Sequence, residues 1–503
     1  MSNAPLSPSR REGRSPVLAI GLLLLLYFVI RIPSLGVLPI FLDEAVHIQW
    51  AERLYGEGRI LRPVGAGRLL AVAAYGLSLP FEDRLWVSRL IATLAGATTL
   101  VFTLLLSRRL FGERAGVIAG GLYVLSPFAL TYDRLALSDG FLAASMAGVM
   151  FATHALVDPH GRSPAGKFGL AALVALAIIS KVSAPLFLLT IPLCVFSLAR
   201  SRKASFGAVA PALGAGLLFA SPMLWFFAAN SGEITAQHVV DPALAGSVLM
   251  ATLKDMWGWV FGYFTAPALV AAVLSLIFLR DRRALWLGGS VALPLLLFAG
   301  LSQPWSARYI LPTLPPLLIL IAGGVERVAM MFRREISTVV AVAVTLVVSI
   351  QGLGFDRYLL LDPAAAPFPA DDRHQLVTGW PAGYGVREVA SLLKREAARG
   401  PIRAFIDTGG TRTMPTSLAI LLGKGSGVSL IEGDLGVLQV REKVRLESRT
   451  APVFAVIGPR SPTLDFRALM DGLDVERLGI FQRPGGEWAG TVFRVGLGSA
   501  PGR

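Results

Sequence analysis

The chain has 503 residues, 54% of them hydrophobic, with a mean hydropathy of +0.62, which is too apolar for a water-soluble globular protein. Its formal charge of +14 lies mostly in short clusters between hydrophobic runs, the pattern that orients membrane helices, and this excludes a nucleic-acid partner. A single cysteine, Cys194, excludes an intrachain disulfide.

In chain order, a polar tail at 1–15 carries Arg10, Arg11 and Arg14. The run after it is long and lacks a small-residue cleavage site, so it reads as a retained first span and not a removed leader. Crossing a bilayer as helix takes about 17–25 apolar residues. On that basis eleven spans are expected, at about 16–35, 86–107, 114–131, 138–157, 167–181, 183–200, 205–229, 256–279, 284–302, 308–326 and 337–355. Basic clusters at Arg108/Arg109/Arg114, Arg162/Lys167, Arg200/Arg202/Lys203, Arg280/Arg282/Arg283 and Arg327/Arg333/Arg334 then fall on the side of the N-terminus. The positive-inside rule makes that side cytoplasmic. Residues 64–80 are apolar enough to imitate a span, but counting them would put the next five basic loops outside. They are expected as a helix lying on or dipping into the outer surface, within an external loop at 36–85. A second external loop is expected at 230–255.

After 356, charges, Pro and Gly return. Ile402–Asp407, Val428–Ile431 and Pro452–Ile457 read as strands; Thr416–Leu422, Gly436–Glu447 and Leu464–Gly472 read as helices. Phe481 and Thr491–Val495 add a closing hairpin. The expected organisation is a cytoplasmic basic tail at 1–15, a transmembrane catalytic domain at 16–355 and an extracytoplasmic α/β domain at 356–503, all in the cytoplasmic membrane.

Polar groups gather at one edge of this scheme. Asp43-Glu44 follows the first span; Tyr132-Asp133-Arg134, Ser138-Asp139, Lys181 and Arg308-Tyr309 fall on the same membrane side. Charged groups are costly near lipid and mark sites; acids and cations converging at one boundary fit an enzyme acting on a phosphorylated lipid. Lys181 is one of seven lysines in an Arg-rich chain and sits in an apolar run. Against each functional reading stands a plainer one: a solvated turn for Asp43-Glu44, an ion pair for Arg134 and Asp139, a snorkelling side chain for Arg62, a span-end anchor for Arg308. His47 and Trp50 read as packing residues, Trp257 and Trp259 as an interfacial belt. Gly423-Lys424-Gly425-Ser426-Gly427 has the wrong spacing for a phosphate loop and reads as a plain loop.

Leu42-Asp43-Glu44-Ala45, Arg62-Pro63, Arg134-x-x-x-x-Asp139, Ser180-Lys181, Arg308-Tyr309-Ile310-Leu311-Pro312-x-Leu314-Pro315-Pro316 and Gly379-Trp380-Pro381-Ala382-Gly383-Tyr384-Gly385-Val386 occur in this order over about 20–390. Together they resemble the membrane glycosyltransferases of the C-type (GT-C) fold, in the branch of the protein O-mannosyltransferases and lipid A aminoarabinose transferases, as in bacterial members. The resemblance implies a polytopic α-helical GT-C domain and an inverting transfer of one sugar from a polyprenyl-phosphate donor. The acceptor, a protein, lipid or glycan, would be met on the outer face of the membrane. It implies Asp43 as general base, with Glu44 orienting the base or acceptor and Asp139 completing the catalytic acids. Arg62, Arg134, Lys181 and Arg308 become the donor-phosphate ligands. Where the family usually has Gly after the lysine, this chain has Val182. No cofactor is expected; a divalent cation on Asp43 and Asp139 is the alternative chemistry. The competing function is a polytopic transporter or flippase of a lipid-linked substrate. Such proteins favour repeats and midplane polar groups, neither of which the sequence offers.

Overall fold

The computed structural model describes residues 16–58, 67–229, 245–301, 306–423, 425–459 and 473–496. Each of the eleven expected spans corresponds to helix, but they are not eleven continuous rods. Among the described residues six helices are long and apolar enough to cross a membrane, or seven if one bent pair counts as a single span. The six are Val17–Ser34, Arg84–Phe111, Asp139–Val157, Arg282–Gly300, Ala307–Ala329 and Arg334–Leu361. The expected span at 256–279 is the bent pair, Ala245–Phe264 and Ala266–Leu279, with Thr265 at φ 63 between them and a 97° bend. Similar breaks divide 113–132 at Ser126-Pro127 and 202–229 at Ala220, while Pro164–Ser180 is simply short.

Proline accounts for the breaks. Pro127, Pro185, Pro222 and Pro267 each sit at the first or second position of the helix that follows a break. There the missing N–H costs nothing, whereas mid-helix it would remove a bond and clash with the preceding turn.

The most enclosed spans are Asp139–Val157 and Ala307–Ala329, 78% and 89% buried. The first and last spans are only 17% and 28% buried. They turn Leu18, Leu22, Leu25, Val29, Val339 and Ile350 outward, an apolar perimeter suited to lipid. Inside, small residues let helices approach closely: a Cβ on Gly324 would collide with Ser275 of the neighbouring helix.

The C-terminal region folds as expected into a small α/β domain. Its strands β1 (Ile402–Asp407), β2 (Val428–Gly433), β3 (Val453–Ile457), β4 (Val475–Gln482) and β5 (Trp488–Val495) form one sheet in the order β2-β1-β3-β5-β4. β1 runs parallel to β2 and β3; β5 is antiparallel to β3 and β4. β3, Val-Phe-Ala-Val-Ile, is buried on both faces, as the middle strand of a covered sheet must be. Phe454 and Val456 point to a core shared with Leu393, Leu418, Ala45 and Ile48. Val453, Ala455 and Ile457 point to Leu435, Val444 and Phe493. The last transmembrane helix runs to Leu361, a few residues beyond the expected boundary. The helix expected at 464–472 lies outside the described residues.

The shared core fixes the helix Leu42–Glu57, which is clasped between the transmembrane body and the α/β domain. Leu42 N–H donates to Pro381 O at 3.1 Å, and Phe41 forms an antiparallel bridge with Ala382. Gly383 permits that approach, because any Cβ there would run into the Ile40 carbonyl oxygen.

Candidate active site

The helix carrying Asp43 begins at Phe41, whose extended backbone caps it; Asp43 and Glu44 occupy the first turn, where the helix dipole favours acids. The two side chains then part. Glu44 is fully buried and turns inward. Its Oε1 accepts from Arg89 Nε at 2.8 Å and Ala136 N–H at 2.8 Å; its Oε2 accepts from Arg89 Nη2 at 2.6 Å and Phe41 N–H at 2.9 Å. The other Arg89 N–H groups donate to the carbonyls of Leu35, Leu38 and Pro39 at 2.6–2.9 Å. Glu44 therefore has nothing left for an acceptor. It was expected to orient the base or the acceptor; its contacts hold the turn bearing Asp43, and none reaches toward an acceptor.

Asp43 turns the other way, toward Arg308. Arg308 lies in the tight helical turn Ala307–Thr313, and its Nη2 donates to Asp43 Oδ2 at 2.5 Å. Its Nε stands 4.0 Å from Asp139 Oδ2 and has no hydrogen-bond partner. Asp139 opens the helix Asp139–Val157, and its Oδ1 takes the ammonium of Lys181. Lys181 directly follows the helix Pro164–Ser180, in extended backbone, and its Nζ lies 3.9 Å from the Tyr309 ring centre. Four expected residues thus form one chain of alternating charge, Asp43–Arg308–Asp139–Lys181, drawn from four separate segments. Asp139, Lys181 and Arg308 are buried, while the Asp43 side chain keeps 27% of its surface exposed, the open end of the cluster. The apolar surroundings of Asp43 would by themselves raise its pKa. Arg308, then Arg68 and His47, outweigh this and hold the carboxyl well below the usual range.

Arg134 does not join them. It is buried and donates to the carbonyls of Leu130 at 2.7 Å, Ser34 at 3.2 Å and Leu359 at 3.4 Å. Its place among the phosphate ligands is corrected to that of a tie between the first and last membrane helices. Asp133, its neighbour, accepts from Tyr27 OH at 2.9 Å and Tyr123 OH at 3.2 Å, with Arg31 at 3.5 Å. Arg62 lies outside the described residues. Of the two tryptophans expected in an interfacial belt, Trp259 is buried and donates to Asp371 at 2.8 Å, and Trp257 is exposed.

Two groups escaped the sequence reading. Asp372, buried in a short helix at Ala370–Arg373, accepts from Tyr132 OH, Tyr263 OH (2.7 Å), Ser306 Oγ (2.9 Å) and Ala307 N–H (3.3 Å). Burial pushes its carboxyl up, opposed by these donors. It clamps the chain immediately before Arg308. The acidic pair Asp371-Asp372 was its only sequence signal, some 60 residues from the segment it holds. The second group is Arg68, whose Nη1 is 3.1 Å from His47 Nε2. Among the described residues no group of three or more His, Cys, Asp and Glu is set to hold a metal ion; Asp43 and Asp139 each face a cationic side chain instead.

Residues 71–226 match the family model described as dolichyl-phosphate-mannose-protein mannosyltransferase. The whole fold is similar to that of ArnT from Cupriavidus metallidurans. In its apo structure the TM-score is 0.56, and in a structure bound to undecaprenyl phosphate it is 0.57. Both are at 16% identity, covering 95% of this chain and 97% of that one. The oligosaccharyltransferase of Archaeoglobus fulgidus is a more distant likeness, with a TM-score of 0.48 at 10% identity, over 94% of this chain and 74% of that one. No curated protein sequence matches. The chain is a multi-pass membrane protein of the GT-C fold, the fold it shares with ArnT.

Proposed function

We propose that this protein transfers one sugar from a polyprenyl-phosphate donor to an acceptor hydroxyl at the outer face of the cytoplasmic membrane, with inversion. The observation that carries the reading is the chain of alternating charges, open at Asp43 and closed behind it. The bound undecaprenyl phosphate of the Cupriavidus ArnT structure supports the class of donor.

In the proposed step the acceptor oxygen attacks the anomeric carbon and a new C–O bond forms. The bond from that carbon to the phosphate oxygen breaks, its electron pair leaves with the polyprenyl phosphate, and the acceptor proton passes to Asp43. One displacement gives inversion. Polyprenyl phosphate is a good leaving group, so a strong general acid is not required; removing the acceptor proton is the task for a base. Asp43 in its resting pair with Arg308 is a weak base. Donor phosphate competing for Arg308 releases the carboxylate and restores its basicity. As Asp43 then takes up the proton and loses its charge, the phosphate gains one, and Arg308 is positioned to answer it. Arg308 and Lys181, with Arg62, serve the phosphate in this reading, and Asp139 holds the two buried cations in place.

The test is Asp43→Asn, which keeps size and shape but cannot accept the proton. Transfer should fall by about 10²–10⁴-fold while the protein inserts and elutes as wild type. EDTA should leave the wild-type rate unchanged; a loss on chelation, with Asp43→Asn and Asp139→Asn equally severe, would replace the base by a metal site. Near wild-type transfer by a well-inserted Asp43→Asn protein would remove the mechanism. For orientation, alkaline phosphatase fused after residue 360 should be active and a fusion near Arg282 silent.

A further inference from the structure

The segment from Asp372 to Pro381 forms an arch between the two members of the Asp43–Arg308 pair. One foot is Asp372, which accepts from Ser306 Oγ and Ala307 N–H, directly before Arg308. The other is Pro381, whose carbonyl accepts from Leu42 N–H, directly before Asp43. Since Arg308 and Asp43 meet at 2.5 Å, the arch runs along the rim of the cluster's open end. Of residues 379–386 only Trp380 is exposed, with 47% of its surface free. Its backbone is held on every side: Trp380 O accepts from Thr413 Oγ1 at 2.6 Å, Gly379 N–H donates to His374 O at 2.6 Å, and Gly379 O accepts from Ala382 N–H at 3.0 Å. Glycine is required at 379, because a Cβ there would enter the His374 ring. Among the described residues the indole itself makes no hydrogen bond and no ring contact. A large apolar ring, rigidly mounted at the mouth of a site and covered by nothing, is a surface for a ligand.

We propose that Trp380 seats the acceptor by packing on the apolar C–H face of a sugar ring, so that the attacking hydroxyl belongs to a saccharide, free or as a glycolipid headgroup, and not to a polypeptide. The inference rests on the transfer reading above and narrows its acceptor. A polypeptide would seek main-chain partners at this rim. Those partners are spent: Gly379 N–H and O, Trp380 O and Pro381 O are engaged within the protein, and Pro381 has no N–H. The adjoining strand-like edge is closed by the Phe41–Ala382 bridge. What remains is a flat apolar face with one free N–H, the complement of a sugar ring with its apolar face and its hydroxyl edge. The exposed side chains of His374, at the start of the arch, and Arg412, beside Thr413, flank this platform and can meet further hydroxyls. Trp380 is one residue from the tie to Leu42, so a ring seated on it lies beside Asp43, where its hydroxyl is to lose the proton. A tryptophan that only anchored the protein in the membrane interface would be replaceable by leucine; a stacking platform is replaceable only by another aromatic ring.

The experiment starts from the envelope of cells from which the protein has been deleted, separated into protein, glycolipid and lipid-free glycan fractions. Each fraction is offered as acceptor to the full-length protein in detergent, with the polyprenyl-phosphate sugar fraction of the same cells as donor. The gain of a sugar is read by mass spectrometry. It should appear on the glycolipid or on the lipid-free glycan, and whichever takes it gives the form of the acceptor. With that acceptor, Trp380→Ala should raise the acceptor KM by about two- to tenfold, the usual worth of an aromatic contact. Donor KM and kcat should hold, Trp380→Phe should recover most of the loss, and Trp380→Leu should not. Sugar on the protein fraction alone, or an acceptor KM unmoved by Trp380→Ala, overturns the inference and leaves the transfer reading standing. Recovery by leucine as full as by phenylalanine overturns it too, reducing Trp380 to a lipid anchor. If no fraction gains a sugar, the transfer reading fails and the inference with it.

Discussion

Asp43 and Glu44 are adjacent in sequence, each faces an arginine, and the two ion pairs are built on opposite plans. In the Glu44–Arg89 pair every polar atom is engaged: both carboxylate oxygens accept twice, and all five guanidinium N–H groups donate. In the Asp43–Arg308 pair the carboxylate is partly exposed, and the buried Arg308 Nε has no hydrogen-bond partner. A saturated pair can only hold structure. An unsaturated one, kept in place by its neighbours, has capacity left for a ligand, and leaving a buried donor unmet costs about 1–3 kcal/mol. On the proposed function the first acid serves the chemistry and the second the architecture, although sequence makes them a matched pair.

The strongest way to break this comparison is Glu44→Gln. The amide keeps the shape but leaves Arg89 buried without its counter-charge and turns one acceptor oxygen into a donor. Breaking a buried pair in this manner costs about 3–5 kcal/mol. The expected result is a large fall in melting temperature and yield in detergent. Turnover per folded molecule should stay within a few-fold of wild type, the reverse of the Asp43→Asn outcome. A stable Glu44→Gln protein that has lost transfer would put Glu44 back in the chemistry.

Much of this fold could be read from sequence because two signals are local. Span hydrophobicity and basic clusters located the helices, and the strands Ile402–Asp407 and Pro452–Ile457 stand out as β-branched, apolar runs between turns. The helix breaks were written in Pro127, Pro222 and Pro267 but were masked by continuous hydrophobicity. In the site, Asp43, Asp139, Lys181 and Arg308 were visible as charges out of place near lipid. What sequence could not give was direction. Glu44 and Arg134 carry the same charges at the same boundary, and only packing decides that they face backbone and Arg89. Asp372 and Arg68 were missed because their partners, Ser306 and His47, are contacts made by the fold and not by spacing.

A smaller effect sharpens the comparison from the arginine side. Arg308 can keep an unmatched N–H only if its backbone is held independently, and Asp372 holds it through Ser306 and Ala307 while accepting from Tyr132 and Tyr263. Asp372→Asn leaves one acceptor oxygen for four donors. The turn Ala307–Thr313 should loosen, and transfer should drop by about ten- to a hundredfold, as displaced groups near the chemistry do. The Asp43→Asn background should mask this loss, since both act through the same pair. Full additivity of the two losses would show that Asp372 acts elsewhere.

The smallest expected effect concerns the histidine behind Arg68. Burial, and then the charge of Arg68, press His47 from its ordinary 6.5 to about 4; Asp43 and the Ala136 carbonyl oppose this, and Arg308 adds to it. Above about pH 6.5 neither the folded nor the unfolded protein holds this proton, so His47 contributes no slope. Between about 6.5 and 4 the unfolded chain takes up a proton that the folded protein refuses, and stability must decline as pH falls through that window. The full span corresponds to at most about 3.5 kcal/mol, since each pKa unit is worth about 1.4 kcal/mol. His47→Gln can still offer an oxygen to Arg68 and an N–H to Ala136, but it does not titrate. Melting temperatures in detergent taken at about pH 7, 6 and 5 should therefore converge between the two proteins as pH falls. Parallel curves would show that the fold leaves His47 as basic as in the unfolded chain, so that neither burial nor Arg68 presses on its proton.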